Sequence, residues 1–413
     1  MKRRRVLYIF HKSLTETIPR LHGLNQVRAL ATERPFFVVS FEPRAGRRSD
    51  SERALYSETR SWLREAGVMH LALPVIGTRW LEIPLGAIVV AALVVFRGVR
   101  IIHARSYIPA LMGLPVRMLF GTKLLFDMRG LFVDEYLHHG ALLEGTFKLS
   151  LARRLERLLL AGSDAVVVVS EAFRDHLLER RDLRGRVTSA RIHIIPNRVE
   201  IARFENEIAL RDSHRRGRGW DGSVVAAFIG SVAGWHRLDR TMEIMALVMS
   251  RLPAVRLVAA VYPEAGEAER MAALAGVPGN RMEITTLPVE AVPPLLASAD
   301  FGIMFIDSHV SKAVCAPIKF SEYMAAGLPI VASANVGDTE TWIEREGLGI
   351  VVDHNAPADA ASSIVELLTS PAFIDGDVRR RCLRFAEREL DMRDTLRQYE
   401  DIYRELECQS GHR

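Results

Sequence analysis

Cysteine is scarce in this chain: Cys315, Cys382 and Cys408 are the only three in 413 residues. An odd, widely spaced set gives no disulfide framework and no zinc-ligand spacing. A reducing cytoplasm is therefore the expected home. Lysine is equally sparse, with six of the 55 basic residues, the other 49 being arginines, and a net charge of +5. Aromatic residues make up only 7%. No basic stretch interleaves with them, which argues against a nucleic-acid partner. Long apolar runs are missing too. The longest, Ile83 to Phe96, has 14 residues, whereas a spanning helix needs ~20. Pro84 near its start and Arg97 at its end mark a buried or interfacial helix, with a core position preferred. The N-terminal Lys2–Arg5 cluster precedes an apolar stretch that stops at His11-Lys12. That stretch is too short for a signal-peptide core and reads as a buried first strand.

What is present is an ordinary globular composition, 49% hydrophobic and 25% charged, and a length that suggests two or three domains at roughly 150 residues each. Short Val/Ile/Leu-rich runs alternate with longer amphipathic ones. Strands are predicted at Val6–Phe10, Phe36–Phe41, Met69–Leu73, Ile101–Ala104, Lys123–Asp127, Ala165–Val169 and Ile192–Ile195. After a polar stretch, Arg203 to Gly222, read as a linker, the pattern restarts. The second set is Val224–Ile229, Val255–Val261, Met282–Thr285, Phe301–Phe305, Pro329–Ala332 and Ile350–Val352. Near-continuous apolar strands separated by helices imply parallel sheets buried on both faces. The expected architecture is α/β, with two Rossmann-like doubly wound domains facing a cleft: residues 1–200, residues 201–390, and a terminal helix, 391–413, packing back on the first domain. Chemistry is then expected just beyond the carboxyl ends of strands.

The segment Ala316 to Ser333, APIKFSEYMAAGLPIVAS, is the strongest local signal. Pro317 suits a helix N1 position and Gly327 its C′ position, giving a helix of about three turns that feeds a strand. A helix N-terminus offers free N–H groups and a positive dipole end, a ready anion site. Lys319 in the first turn opposes that dipole, a conflict that a bound phosphate removes. Glu322, three residues on, shares its face. A carboxylate there can accept hydrogen bonds from the vicinal hydroxyls of a ribose. An ordinary helix start with a solvated lysine has the same spacing, so spacing alone leaves both readings open.

This stretch resembles the donor-site helix of GT-B glycosyltransferases of glycosyltransferase family 4. Strand-end segments resemble that family as well: Ile102–Ala110, Phe126–Glu135, Val168–Glu171, Ile195–Val199, and Phe228-Ile229-Gly230-Ser231 followed by Trp235. The resemblance covers nearly the whole chain. It implies a metal-independent, retaining transfer from a nucleotide sugar, UDP- or GDP-linked, that serves as co-substrate, with no other cofactor. By that match Glu322 would hold the ribose, Lys319 would sit near the diphosphate, and Gly230 and Ser231 would line the phosphate loop. The leaving diphosphate's developing charge must be stabilised by cations and helix N-termini. The leaving phosphate itself is expected to act as base, so no nucleophilic side chain is nominated.

Three departures stand out. Val314 occupies the position where many members carry a second glutamate. Many members carry both Arg and Lys in the loop that here is 230–237, with Arg237 its one basic residue besides His236, which leaves Arg237, Lys312 and Lys319 as candidates to clamp the diphosphate. The family's histidine falls near Arg105, whereas here His103 precedes it by two residues and is expected on the opposite side of the strand. Arg105, Asp127 and Arg129 are the expected catalytic residues. Asp127, Arg129, Asp134 and Glu135 crowd one strand end, either as an acceptor site or as an ion pair that organises a loop. His103 and Asn197 are assigned to the acceptor side or hinge, and Tyr262 either contacts the base or caps the surface. The acceptor expected by analogy is a glycan or polyprenyl-linked sugar of surface polysaccharide synthesis. The enzyme would sit in the cytoplasm or peripherally at the inner membrane face, with Lys2–Arg5 and Arg180–Arg191 near anionic lipid. A nucleotide-sugar 2-epimerase and a non-catalytic nucleotide-sugar-binding subunit are the alternatives.

Overall fold

The computed structural model of the chain describes residues 5–409 apart from 17–19, 45, 47, 233, 263 and 264. Lys2, Arg3 and Arg4 of the N-terminal basic cluster lie outside the described residues. The chain divides into two compact units, Met1–Ile195 with Asp394–Arg413, and Pro196–Arg393.

The first unit holds a seven-stranded sheet: β1 (Arg5–Phe10), β2 (Phe36–Glu42), β3 (Met69–Pro74), β4 (Val99–Arg105), β5 (Lys123–Asp127), β6 (Ala165–Val168) and β7 (Ile192–Ile194), in the order β3-β2-β1-β4-β5-β6-β7. The second holds β8 (Val224–Ser231), β9 (Val255–Tyr262), β10 (Met282–Thr285), β11 (Phe301–Met304), β12 (Ile330–Ser333) and β13 (Gly349–Val352), in the order β10-β9-β8-β11-β12-β13. Every strand pair is parallel. β2 and β5 illustrate why: runs such as FFVVSFE are buried along almost their whole length, and helices cover both faces. Strand order reverses between β1 and β4 and between β8 and β11, the two positions where a doubly wound sheet opens a crevice at its carboxyl edge.

Two expectations are corrected. The stretch read as a linker forms two helices, Ala202–Ala209 and Arg211–Gly217. Two of its arginines, Arg211 and Arg215, are held by the protein while Arg216 and Arg218 stay exposed. Arg211 donates to the Ala297 carbonyl and Asp300 (2.6 Å each), and Arg215 to the Ser298 carbonyl (2.8 Å) and Asp300 (3.0 Å), while Phe204 is buried. Two charges that look like part of a solvated run are spent on carbonyls and one carboxylate. The apolar run at 83–96 lies in the helix Arg79–Arg97, with Gly86, Val90 and Val94 buried. Its other face stays open, with Ile88 67% and Phe96 82% exposed, so it is only half a core helix.

The terminal helix Met392–Cys408 packs, from Asp394 onward, within the first unit. Its Glu400 and Glu407 grip the buried Arg34 (2.7 and 2.9 Å), and its Tyr399 and Tyr403 are buried against His103 of β4 and Phe36 of β2.

Candidate functional sites: a lysine–glutamate recess and a saturated aspartate

In the second unit the helix Ile318–Ala325 is about two turns long, shorter than expected. Pro317 is its N-cap rather than N1, and Gly327 takes the left-handed conformation just past its end (φ 68°). The helix is fixed by its apolar face. Phe320 packs on Trp342 and Phe385, and Tyr323 lies flat over Gly302, where even a Cβ would come within 2.7 Å of the ring. The Tyr323 hydroxyl accepts from the Ile229 N–H (3.1 Å) and donates to the Ile303 carbonyl (3.2 Å), tying the helix to β8 and β11. Ser321 donates to the Asn197 carbonyl and Asn197 Nδ2 to the Ala316 carbonyl, 2.6 Å each, so the helix start is clamped from the segment that follows β7. No side chain caps the first turn.

With Phe320, Tyr323 and Met324 turned to the core, Lys319 and Glu322 are left together on the opposite face. Both keep some solvent contact but are densely enclosed by protein. Burial lowers the Lys319 ammonium to about 7, against the pull of Glu322. Burial raises the Glu322 carboxyl to about 7, against Lys319 and Arg203. Neither side chain makes a hydrogen bond or close ion pair among the described residues. Above the recess runs the end of β8. A Cβ on Gly230 would lie 2.5 Å from Lys319 Nζ, so only glycine lets the ammonium pass this close to the backbone. His236 lines the same place. The Ser231 N–H and hydroxyl reach its Nδ1 (3.4 and 3.0 Å), and since the N–H can only donate, Nδ1 accepts and the ring proton sits on Nε2. Burial, then Lys319 and Lys312, push this histidine down to about 3, so it is neutral. Lys312 Nζ sits 3.3 Å from the centre of the Trp235 ring, which stacks on His236. The loop is pinned by the Asp307 N–H donating to the Trp235 carbonyl (3.0 Å). The resulting surface offers two ammonium groups, an uncapped helix start and a carboxylate, which suits an anion bearing hydroxyls nearby.

In the first unit Asp127 ends β5 and is wholly buried. Arg105 (3.1 Å), Arg129 (3.3 Å), His103 (3.5 Å) and the Tyr399 hydroxyl (3.3 Å) converge on its two oxygens. Burial alone would raise this carboxyl, but Arg129, His103 and Arg105 together hold it well below the usual carboxylate range. The Tyr403 hydroxyl meets His103 Nδ1 at 2.7 Å. Burial pushes His103 down, with Asp127 opposing. His103 and Arg105 therefore face the same side, not opposite sides: residues two apart on a strand share a face.

Two domain families account for most of the chain: a glycosyl transferase 4-like domain matches residues 16–198, and the glycosyl transferases group 1 family matches residues 223–370. The chain is a GT-B glycosyltransferase. No curated protein matches it by sequence. Among solved structures, a glycosyltransferase from Rickettsia africae is 15% identical, with 98% of this chain and 99% of that one covered and a TM-score of 0.72. Anabaena HepE, crystallised with UDP and glucose, is 14% identical, with 96% and 98% covered and a TM-score of 0.69. Sucrose-phosphate synthase from Thermosynechococcus elongatus is 14% identical, with 98% and 100% covered and a TM-score of 0.67. At such identities the likeness is one of fold.

In this glycosyltransferase the residues expected from sequence fall into three groups. Gly230, Ser231, Lys312, Lys319 and Glu322 come together with the helix start, and Asn197 holds that start in place. Arg237 is near but engaged: it pairs with Asp239 (2.6 Å) and Asp307 (2.9 Å). Tyr262 ends β9 beside Ser231 in register, its side chain lying outside the described residues. Arg105, Asp127, Arg129 and His103 form the second cluster. Asp134 is taken up by a two-pronged pair with Arg153 (2.8 and 2.6 Å), and Glu135 follows it on the helix Phe132–His138. Sequence reasoning missed His236, whose only signal was its place five residues after Ser231. It also missed Tyr399 and Tyr403, legible only as one face of a terminal helix.

Proposed function

We propose that this glycosyltransferase binds a nucleoside diphosphate sugar, UDP-linked in the first instance, in the recess of Gly230, Lys319 and Glu322. It then moves the sugar, with retention of configuration, to a hydroxyl of a lipid-linked or glycan acceptor in surface polysaccharide synthesis. The observation that carries this reading is a lysine and a glutamate enclosed together at the carboxyl edge of the sheet, without side-chain hydrogen bonds among the described residues. A diphosphate supplies the anion that Lys319 lacks and that the uncapped helix start favours. A ribose supplies the donors that suit Glu322. The UDP bound in HepE supports the choice of nucleotide. Arg105 and Arg129 face the acceptor side, and Asp127 orients them. Attack from the donor's own face lets the departing phosphate take the acceptor's proton, and Lys312, Lys319 and the neutral His236 Nε2–H stabilise its charge. Peripheral membrane attachment fits the exposed Phe96 next to Arg97. The test is calorimetric titration with UDP- and GDP-sugars followed by product analysis. Saturable binding with release of nucleoside diphosphate supports the reading, and no binding by any of them overturns it.

A further inference from the structure

In the first unit the helices Arg79–Arg97 and Tyr107–Phe120 lie side by side on one face of the sheet. A Cβ on Gly86 would meet the Met112 side chain, and one on Gly113 would meet Ile102 of β4 and Leu124 of β5. Glu82, Gly86, Val90 and Val94, spaced by one helical turn, point inward. That leaves Leu81, Ile88, Val95 and Phe96 on the outside. The second helix ends in the same way, with Met118 73% and Leu119 77% exposed. The two helices stop just before β4 and β5, which are neighbours in the sheet. Phe96, Met118 and Leu119 therefore share one corner at its amino edge. Single exposed apolar side chains are ordinary, but a cluster of this kind marks an interaction surface.

Charge says what kind of partner fits that corner. From Ile83 to Phe126 the chain has no Asp or Glu, and the acids flanking that stretch, Glu82 and Asp127, are both buried. Arg97 and Arg100 are exposed. Arg5, the first residue of β1, donates to the Arg97 carbonyl, so three guanidiniums border the apolar corner. Asp164 nearby is already shared by Arg117 (2.6 Å) and Lys123 (3.2 Å). A protein partner is met by charges of both signs. This surface offers one sign, and its apolar side chains project from helix ends. An anionic leaflet presents a uniformly negative plane above hydrocarbon, into which such side chains sink by ~5–10 Å. The basic stretch at 180–191, expected from sequence to meet lipid, fits less well. Arg180 pairs with Glu156 and Asp182, and Arg191 donates to the Ala161 and Ser163 carbonyls.

We infer that the corner of Phe96, Met118 and Leu119, bordered by Arg5, Arg97 and Arg100, docks this glycosyltransferase onto an anionic lipid leaflet. The inference rests on the membrane attachment proposed above and is independent of the donor recess. The test is cosedimentation of the full-length protein with vesicles of phosphatidylcholine, alone or mixed with phosphatidylglycerol, at low and high salt. Binding is expected to the mixed vesicles, and to fall as salt rises. Phe96→Ser with Leu119→Ser, and separately Arg97→Glu with Arg100→Glu, should each lower partitioning by about tenfold or more. The charge reversal should also abolish the salt dependence. UDP affinity in the same samples should stay at the wild-type value, as a check of folding. Phe96→Trp should gain blue-shifted emission on the mixed vesicles and be quenched by brominated lipid. Arg184→Ala with Arg186→Ala should bind as the wild type does. No binding by the wild type to either vesicle overturns the membrane attachment and this inference with it. Binding retained by both surface variants, or lowered as much by the 184/186 pair, overturns this surface alone, as does a Phe96→Trp that is neither shifted nor quenched. A dimer in light scattering that the serine pair dissociates would give the corner to a second copy and overturn the lipid assignment.

Discussion

The two charged clusters of this glycosyltransferase are built from the same kinds of residue and behave in opposite ways. Around Asp127 a single buried carboxylate is surrounded by two guanidiniums, an imidazole and a phenol. Burial is outweighed, and the carboxyl stays ionised far below its usual range. Around Lys319 and Glu322 burial is not outweighed, and both groups are driven toward neutrality, each to about 7. A saturated cluster holds the protein's own parts in place. An unsaturated one carries a desolvation cost that a ligand of the right charge removes. By that difference we assign positioning to the first cluster and propose ligand binding for the second.

The largest effect should come from breaking the saturated side. Asp127→Ala leaves two arginines buried without their shared carboxylate, which is expected to cost about 3–5 kcal/mol. Urea unfolding should register that loss while UDP affinity is retained. Next in size is Lys319→Met. Loss of a charge-assisted contact worth about 1.5–3 kcal/mol raises the Kd for UDP by roughly ten- to hundredfold. The same change should raise the melting temperature by about 2–4 °C near pH 7. The sign follows from proton counts. Between pH 7 and the ordinary lysine range the unfolded chain holds a proton on Lys319 that the folded chain does not, so burial of this lysine costs most at and below pH 7 and less as pH rises. Gly230→Ala puts a Cβ 2.5 Å from Lys319 Nζ. The flexible ammonium can move, so stability should hardly change, while UDP binding weakens by about tenfold. The smallest effect is a proton count. Calorimetry in two buffers of different ionisation enthalpy should find proton uptake on UDP binding that is larger at pH 8 than at pH 6, because the phosphate recharges Lys319.

The parallel sheets were plain in the sequence because strands buried on both faces leave continuous apolar runs, as in β2 and β5. Lys319 and Glu322 were visible as a pair because helical spacing alone puts them on one face. Their enclosure was not, since it depends on Gly230 and His236 arriving from a strand some ninety residues earlier. The helices Ala202–Ala209 and Arg211–Gly217 were hidden for a related reason. Arg211 and Arg215 look solvated until Asp300 and the carbonyls at 297 and 298 are brought to them. The shared face of His103 and Arg105 follows from strand period alone and needed no structure. What needed one was the arrival of Tyr399 and Tyr403 from the far end of the chain.

The most direct test is calorimetric titration of UDP into full-length Glu322→Gln and Asp127→Asn beside the wild type. If the unsaturated recess is where the nucleotide binds, Glu322→Gln weakens UDP by about tenfold or more and Asp127→Asn leaves it within about twofold. Equal affinity of Glu322→Gln and the wild type would contradict the account.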